Sequence, residues 1–172
     1  MWPVQGRCAA LRNSALRYWP LAVAVLVLDL LSKWAANAYL DYGQPLAVLP
    51  HFNLTLHYNT GAAFSFLADA GGWQRWAFSL LALVMIAVML WWLHRLPPRL
   101  NCEALGLHLV IGGAAGNLLE RLWDGRVTDF FDFYIGSWHY ATFNGADVAI
   151  TLGAVCLVVH EFILRPRQER SS

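Results

Sequence analysis

Charge is scarce in this chain. Of its 172 residues, only 13% are Asp, Glu, Lys or Arg and 58% are hydrophobic, where a soluble domain carries roughly 25% charged residues. That scarcity excludes a disordered chain. It also argues against a water-soluble globule, which needs polar residues for the surface it cannot bury. No basic excess compensates. Twelve Lys and Arg against eleven Asp and Glu leave a formal charge of +1, with nothing clustered to neutralise phosphates, so no nucleic acid partner is expected. Cysteine is sparse too: Cys8, Cys102 and Cys156 form no CxxC pair and have no His at zinc-ligand spacing. Neither a disulfide framework nor a metal site is expected, and the three read as small apolar residues. GxSxG, HExxH and phosphate-cradling glycine loops are all absent. Ser32-Lys33 is no Ser/Lys catalytic pair, because adjacent helical residues point about 100° apart.

What the chain has instead is apolar length. Four stretches, near 18–40, 73–93, 104–123 and 144–164, each approach the roughly 20 helical residues that cross a hydrocarbon core of about 30 Å. The second is free of charge from Trp76 to Trp91, with Trp73, Trp76, Trp91 and Trp92 at its ends as interfacial anchors. Eight of the twelve basic residues (Arg7, Arg12, Arg17, Arg95, Arg99, Arg165, Arg167 and Arg170) flank the spans on one side. The positive-inside rule puts those segments and both termini in the cytoplasm. The connections 41–72 and 124–143 then face outward, the first with no Lys or Arg and the second with Arg126 alone. The N-terminal stretch resembles a cleavable signal peptide, but Asp29 and Lys33 would lie between its apolar run and the Ala36-Asn37-Ala38 cleavage site, so it is read as a retained span. The alternation in 52–58 predicts short strands at the membrane surface. The expected class is an all-α integral membrane protein of four transmembrane helices, with a small extracytoplasmic β-containing segment between the first two. No repeat or linker divides 1–172, so one membrane domain is expected.

Ionisable residues within a span cost about 2.5 to 3.5 kcal/mol each on insertion scales and invite a functional or pairing role. Asp29, Lys33, Asn117, Glu120, Arg121, Asn144 and Asp147 all fall in the outer half, so polar groups from three helices converge at one depth. Asp29 and Lys33 are four apart, as are Asn117 and Arg121, which places each pair on one helical face. Gly112 and Gly116, with small residues between, permit close helix packing. Asp124, Asp129 and Asp132 lie in the second outer connection, and Asp147 lies one turn past Asn144, a helix-capping residue type. Two carboxylates brought together would share a proton and act as base and acid, the chemistry of an aspartic peptidase; read from spacing alone, outward-facing acids are more often a solvated surface. His108 and His160 admit two other readings, haem ligands or side chains bonded to a neighbour. An ion path through Asp29, Lys33 and Asp147 lacks the repeats and broken helices of transporters.

Five blocks in order carry a resemblance: Asp29-Leu-Leu-Ser-Lys33, Tyr58-Asn-Thr-Gly-Ala-Ala-Phe-Ser65, Gly112-Gly-Ala-Ala-Gly-Asn-Leu-Leu-Glu-Arg121, Arg126-Val-Thr-Asp-Phe130 and Phe143-Asn-Gly-Ala-Asp147. From about residue 21 to 164 the chain resembles lipoprotein signal peptidase, the signal peptidase II family. The resemblance implies an inner-membrane aspartic endopeptidase that cleaves diacylglyceryl-modified prolipoproteins before the lipid-modified cysteine, with no metal or cofactor. It implies Asp129 and Asp147 as the catalytic pair. Asp29, Lys33, Asn59, Gly61, Asn117, Arg121 and Asn144 would line or support the site. The implied partners are the prolipoprotein and membrane lipid, and a monomer is expected. Three positions depart from the family's usual pattern: Leu30 stands for Gln, Glu120 for Asp, and Gly145 for a hydrophobic residue.

Overall fold

A computed structural model describes residues 13–61 and 72–166. Cys8, Arg7, Arg12, Arg167 and Arg170, and the 62–65 part of the second block, lie outside the described residues. Four helices are long and apolar enough to cross a membrane: α1 (Trp19–Tyr39, preceded by a 3-10 turn), α2 (Trp73–Arg95), α3 (Cys102–Asp124) and α4 (Gly145–Val159, continued by a π-helical turn through Leu164). Their bounds lie within a few residues of the expected spans.

The helices are not equivalent. α3 is largely buried, while α1, α2 and α4 keep most of their apolar surface outward, as helices with lipid on one side must. Consecutive glycines make α3's central place possible. A methyl group on Gly112 would meet the Ala22 carbonyl oxygen of α1 at 2.6 Å, and one on Gly113 would meet the Ala146 carbonyl oxygen of α4 at 2.5 Å. The absent side chains let two neighbours press on α3 from different sides, as the small-residue face suggested. At the other end of the bundle, Ala15, Leu93, Ala104 and Leu107 are fully buried and close an apolar cluster. There Asn101 caps α3 by accepting from the Ala104 N–H at 2.8 Å. Cys102 and Cys156 are free, and the Cys102 thiol donates to the Cys156 carbonyl at 3.3 Å.

The connections form more sheet than expected. β1 (Leu46–Leu49), β2 (Phe52–Asn59), β3 (Val127–Ile135) and β4 (Trp138–His139) make one antiparallel sheet in chain order. The expected strands between the first two helices are half of it. The second connection supplies the other half, so helices alone do not describe the class. The 127–135 segment did not announce itself as a strand because Asp129 and Asp132, three apart, break any alternation of period two. The pairing absorbs the irregularity: His57 stands opposite Asp129 and Leu54 opposite Phe131, so β2 bulges by one residue between them. Beyond the sheet, Phe131 and Phe143 exchange backbone hydrogen bonds of 2.9 and 3.2 Å, and the Phe130 N–H also reaches Phe143. The residue that opens α4, Asn144, is thereby stitched to the strand that carries Asp129.

Candidate active site

β3 enters the site immediately after α3 ends at the left-handed Gly125, and α4 leaves it. The start of α4 is a capping box: the Asn144 side chain accepts from the Asp147 N–H at 3.1 Å, and Asp147 Oδ2 accepts from the Asn144 N–H at 3.2 Å. Asn144 is fully buried, and its Nδ2 donates to Asp129 Oδ1 at 2.7 Å and to Asn117 Oδ1 at 3.2 Å. Asn117 donates in turn to Asp147 Oδ1 at 3.0 Å, and Asn59 to Asp129 Oδ2 at 3.2 Å. Asp129 and Asp147 therefore share Asn144 as a common donor, one through its side chain and the other through its backbone.

The electrostatics follow from that placement. Asp129 is 3% exposed. Burial and then repulsion from Asp147 push its pKa up to about 7, against the lowering effect of the Asn144 and Asn59 hydrogen bonds. It holds a proton up to neutral pH, as a coupled acid pair requires.

A second group of residues supports this pair. The buried Lys33 ammonium donates to Asn117 Oδ1 at 2.6 Å and forms ion pairs with Asp29 Oδ2 at 2.9 Å and Glu120 Oε2 at 3.2 Å. Asp29 Oδ1 also accepts from the Ala146 N–H at 2.8 Å, in the first turn of α4. Glu120 holds Thr128, the neighbour of Asp129, by both its N–H and its hydroxyl. The extra methylene relative to Asp thus spans from α3 to β3 while keeping the ion pair with Lys33. Gly145 leaves room beside Asp29: a methyl group there would meet its carboxylate at 3.4 Å. Arg121 is half-buried over the Phe78 ring and donates to the Gly61 carbonyl at 3.4 Å, while the Gly61 N–H donates to Asn59.

All nine residues singled out in the sequence thus meet in one network at the sheet end of the bundle. Asn37, Tyr58 and Thr128 belong to it as well and were missed. Asn37 Nδ2 donates to the Thr128 hydroxyl at 3.0 Å, and its Oδ1 accepts from Tyr58 at 2.8 Å; Tyr58 and Thr128 are cross-strand partners. One signal was available, since Asn37 lies four residues beyond Lys33 on the same helical face. Of the remaining candidates, His108 bonds the Ala104 carbonyl, His160 the Glu103 carboxylate, and Asp132 a cluster in the sheet.

A cavity of about 510 Å³ opens on the pair, walled by Asn117 and Arg121 of α3, by Val148 and Leu152 of α4, and by Asn59 and Gly61. Among the described residues, no group of three or more His, Cys, Asp or Glu side chains is arranged to hold a metal ion.

The family model for signal peptidase (SPase) II matches residues 21–163. The chain belongs to the signal peptidase II family. A lipoprotein signal peptidase of Hydrogenovibrio crunogenus is 54% identical over 162 residues, 94% of each chain. One of Serratia proteamaculans is 48% identical over 153 residues, covering 88% of this chain and 89% of its own. A solved bacterial membrane enzyme shares the fold with a TM-score of 0.75 at 24% identity, over 86% of this chain and 89% of its own. The signal peptidase II chain described here is therefore a multi-pass bacterial membrane peptidase.

Proposed function

We propose that this peptidase removes the signal peptide from diacylglyceryl-modified prolipoproteins by aspartic catalysis, with Asp129 and Asp147 as the pair, from the extracytoplasmic side of the inner membrane. The observation that carries the reading is the buried Asp129 carboxyl, held near neutrality by burial and by Asp147, with Asn144 bonding both acids. The pair shares one proton; one carboxylate takes a proton from water as it attacks the scissile carbonyl, and the other protonates the departing amide nitrogen. A helical substrate exposes that carbonyl only when a turn unwinds, and the freed backbone groups need partners in place of lipid. Asn59, Asn117 and Arg121 line the cavity and are of the right type to supply them. Asp29 and Lys33 act indirectly, fixing Asn117 and the start of α4. The side assignment is supported by Arg17, Arg95, Arg99 and Arg165, which lie at the ends of the helices away from the sheet.

The test is a gel-shift assay of the purified protein on a diacylglyceryl-modified prolipoprotein. Cleavage by the parent protein, and none by Asp129→Asn or Asp147→Asn, is the expected result. Processing by either variant at the parent's rate refutes the pair.

A further inference from the structure

A second cavity, of about 800 Å³, runs into the first along Asn59, Asp129 and the segment Tyr140, Ala141 and Thr142, which line both. It falls within the roughly 300–1,000 Å³ of an ordinary ligand pocket. Its walls differ in kind. The first cavity has α3 and α4 on one side, beside residues of β2, β3 and the segment before α4, and so reaches down to the depth of the spans. Among the described residues, the second has none from the four long helices; β2, β3, β4 and the segments 42–45 and 140–142 line it. Tyr42 stacks on Tyr58 at 5.4 Å and meets His57 edge-on at 5.7 Å to form one side. His139 and Asp132 line it as well. The buried Asp132 carboxylate accepts from Thr55 at 2.8 Å, from Asn53 at 3.4 Å and from His139 at 2.8 Å. Lys and Arg are absent from the lining. Hydroxyls, imidazoles and carboxylates thus face a space outside the apolar slab, where polar chain can be solvated or hydrogen-bonded at no insertion cost.

We propose that this second cavity is the subsite for the polar segment on the product side of the scissile bond, the residues that follow the lipid-modified cysteine. The inference rests on the peptidase reading above. A chain cut beside Asp129 has an apolar half and a polar half, and of the two cavities that join there only the first runs along the long helices. The signal segment lies along α4 in the first. The residues after the cysteine pass between Tyr42 and His139 in the second, where contacts remote from the cut bond hold the substrate in register for attack. Tyr42 and His139 are the specificity-determining residues of this side; neither lines the first cavity.

The experiment uses the full-length protein and two synthetic substrates with one signal segment and one diacylglyceryl-cysteine. The first ends at the cysteine as an amide. The second continues with a short run of Ser and Asn. For the parent, KM for the extended substrate should be about tenfold lower, the equivalent of one or two net hydrogen bonds. Tyr42→Ala and His139→Ala should lose that preference while cutting the short substrate as the parent does. Equal KM for both substrates with the parent, a result that needs no variant to fold, overturns the subsite and leaves the peptidase reading standing. A preference that survives in both variants overturns it equally. Failure of the parent to cut either substrate overturns the peptidase reading and the subsite with it.

Discussion

Asp129 and Asp132 stand three residues apart on one strand, each 3% exposed, and their chemistry is opposite. Burial pushes both upward, but for Asp129 the next influence is another carboxylate, and the pKa reaches about 7. For Asp132 the next influences are donors from His139, Thr55 and Asn53, which outweigh burial and hold the carboxyl below its ordinary value. Burial alone therefore does not make a reactive acid. The sign of what surrounds it does, and two acids three apart on a strand of period two meet different neighbours.

The two acids should differ most in catalysis, at the proposed pair of Asp129 and Asp147. Asp129→Asn and Asp147→Asn should each lower cleavage by at least about a thousandfold, since either change removes one of the two groups proposed to act as acid and base; single-turnover assays on folded protein measure this. Asp132→Asn should retain the activity on the short, cysteine-terminated substrate.

Next come the groups that aim Asp129. Thr128→Val leaves Glu120 Oε1 and Asn37 Nδ2 each short of a partner. It should lower kcat about ten- to a hundredfold with KM little changed, and Thr128→Ser should restore most of the loss.

Stability against pH sharpens the contrast. Asp129 has a folded pKa above its ordinary value of 3.8. Its contribution is most favourable below about pH 4 and is lost as the pH rises to about 7. Asp129→Asn should therefore gain in melting temperature relative to the parent between those limits. Asp132 is lowered instead, so its stabilisation is present above pH 3.8 and is lost as the pH falls through its folded value. Asp132→Asn should melt earlier than the parent at pH 7, by about 1–3 kcal/mol of lost hydrogen bonding, and the difference should vanish in acid. Thermal unfolding in detergent across pH separates the two. The smallest effect is expected from Glu120→Asp, which shortens the arm to Thr128 but keeps the charge by Lys33. A change in kcat of about threefold or less is the expected reading.

Much of this was legible because helices write their contacts at short spacing. Asp29 with Lys33 and Asn117 with Arg121 could be placed on shared faces from the chain alone, and the five motif blocks named the family. The rest depends on pairs far apart in sequence. Asn37 meets Thr128 91 residues away, and Tyr58 meets Asn37 across 21; no local periodicity encodes either bond. β3 was missed because its two aspartates, both needed where they are, spoil the alternation by which a strand is recognised. Glu120 stood out as a departure from the family's pattern, yet only its reach to Thr128 shows what the longer side chain does.

The capping box at the start of α4 has a kinetic consequence. Asp147 is held by its own helix's first turn and by Asn117, contacts internal to the fold, so the rotational freedom of that carboxylate is lost on folding rather than at the encounter. The same arrangement makes the acid hostage to a helix end, the part of a helix that frays first. On heating, unravelling of a single turn at Asn144 would scatter the carboxylate while the rest of the bundle stays intact. Inactivation should then precede loss of helical signal, with the enzyme falling silent before it melts.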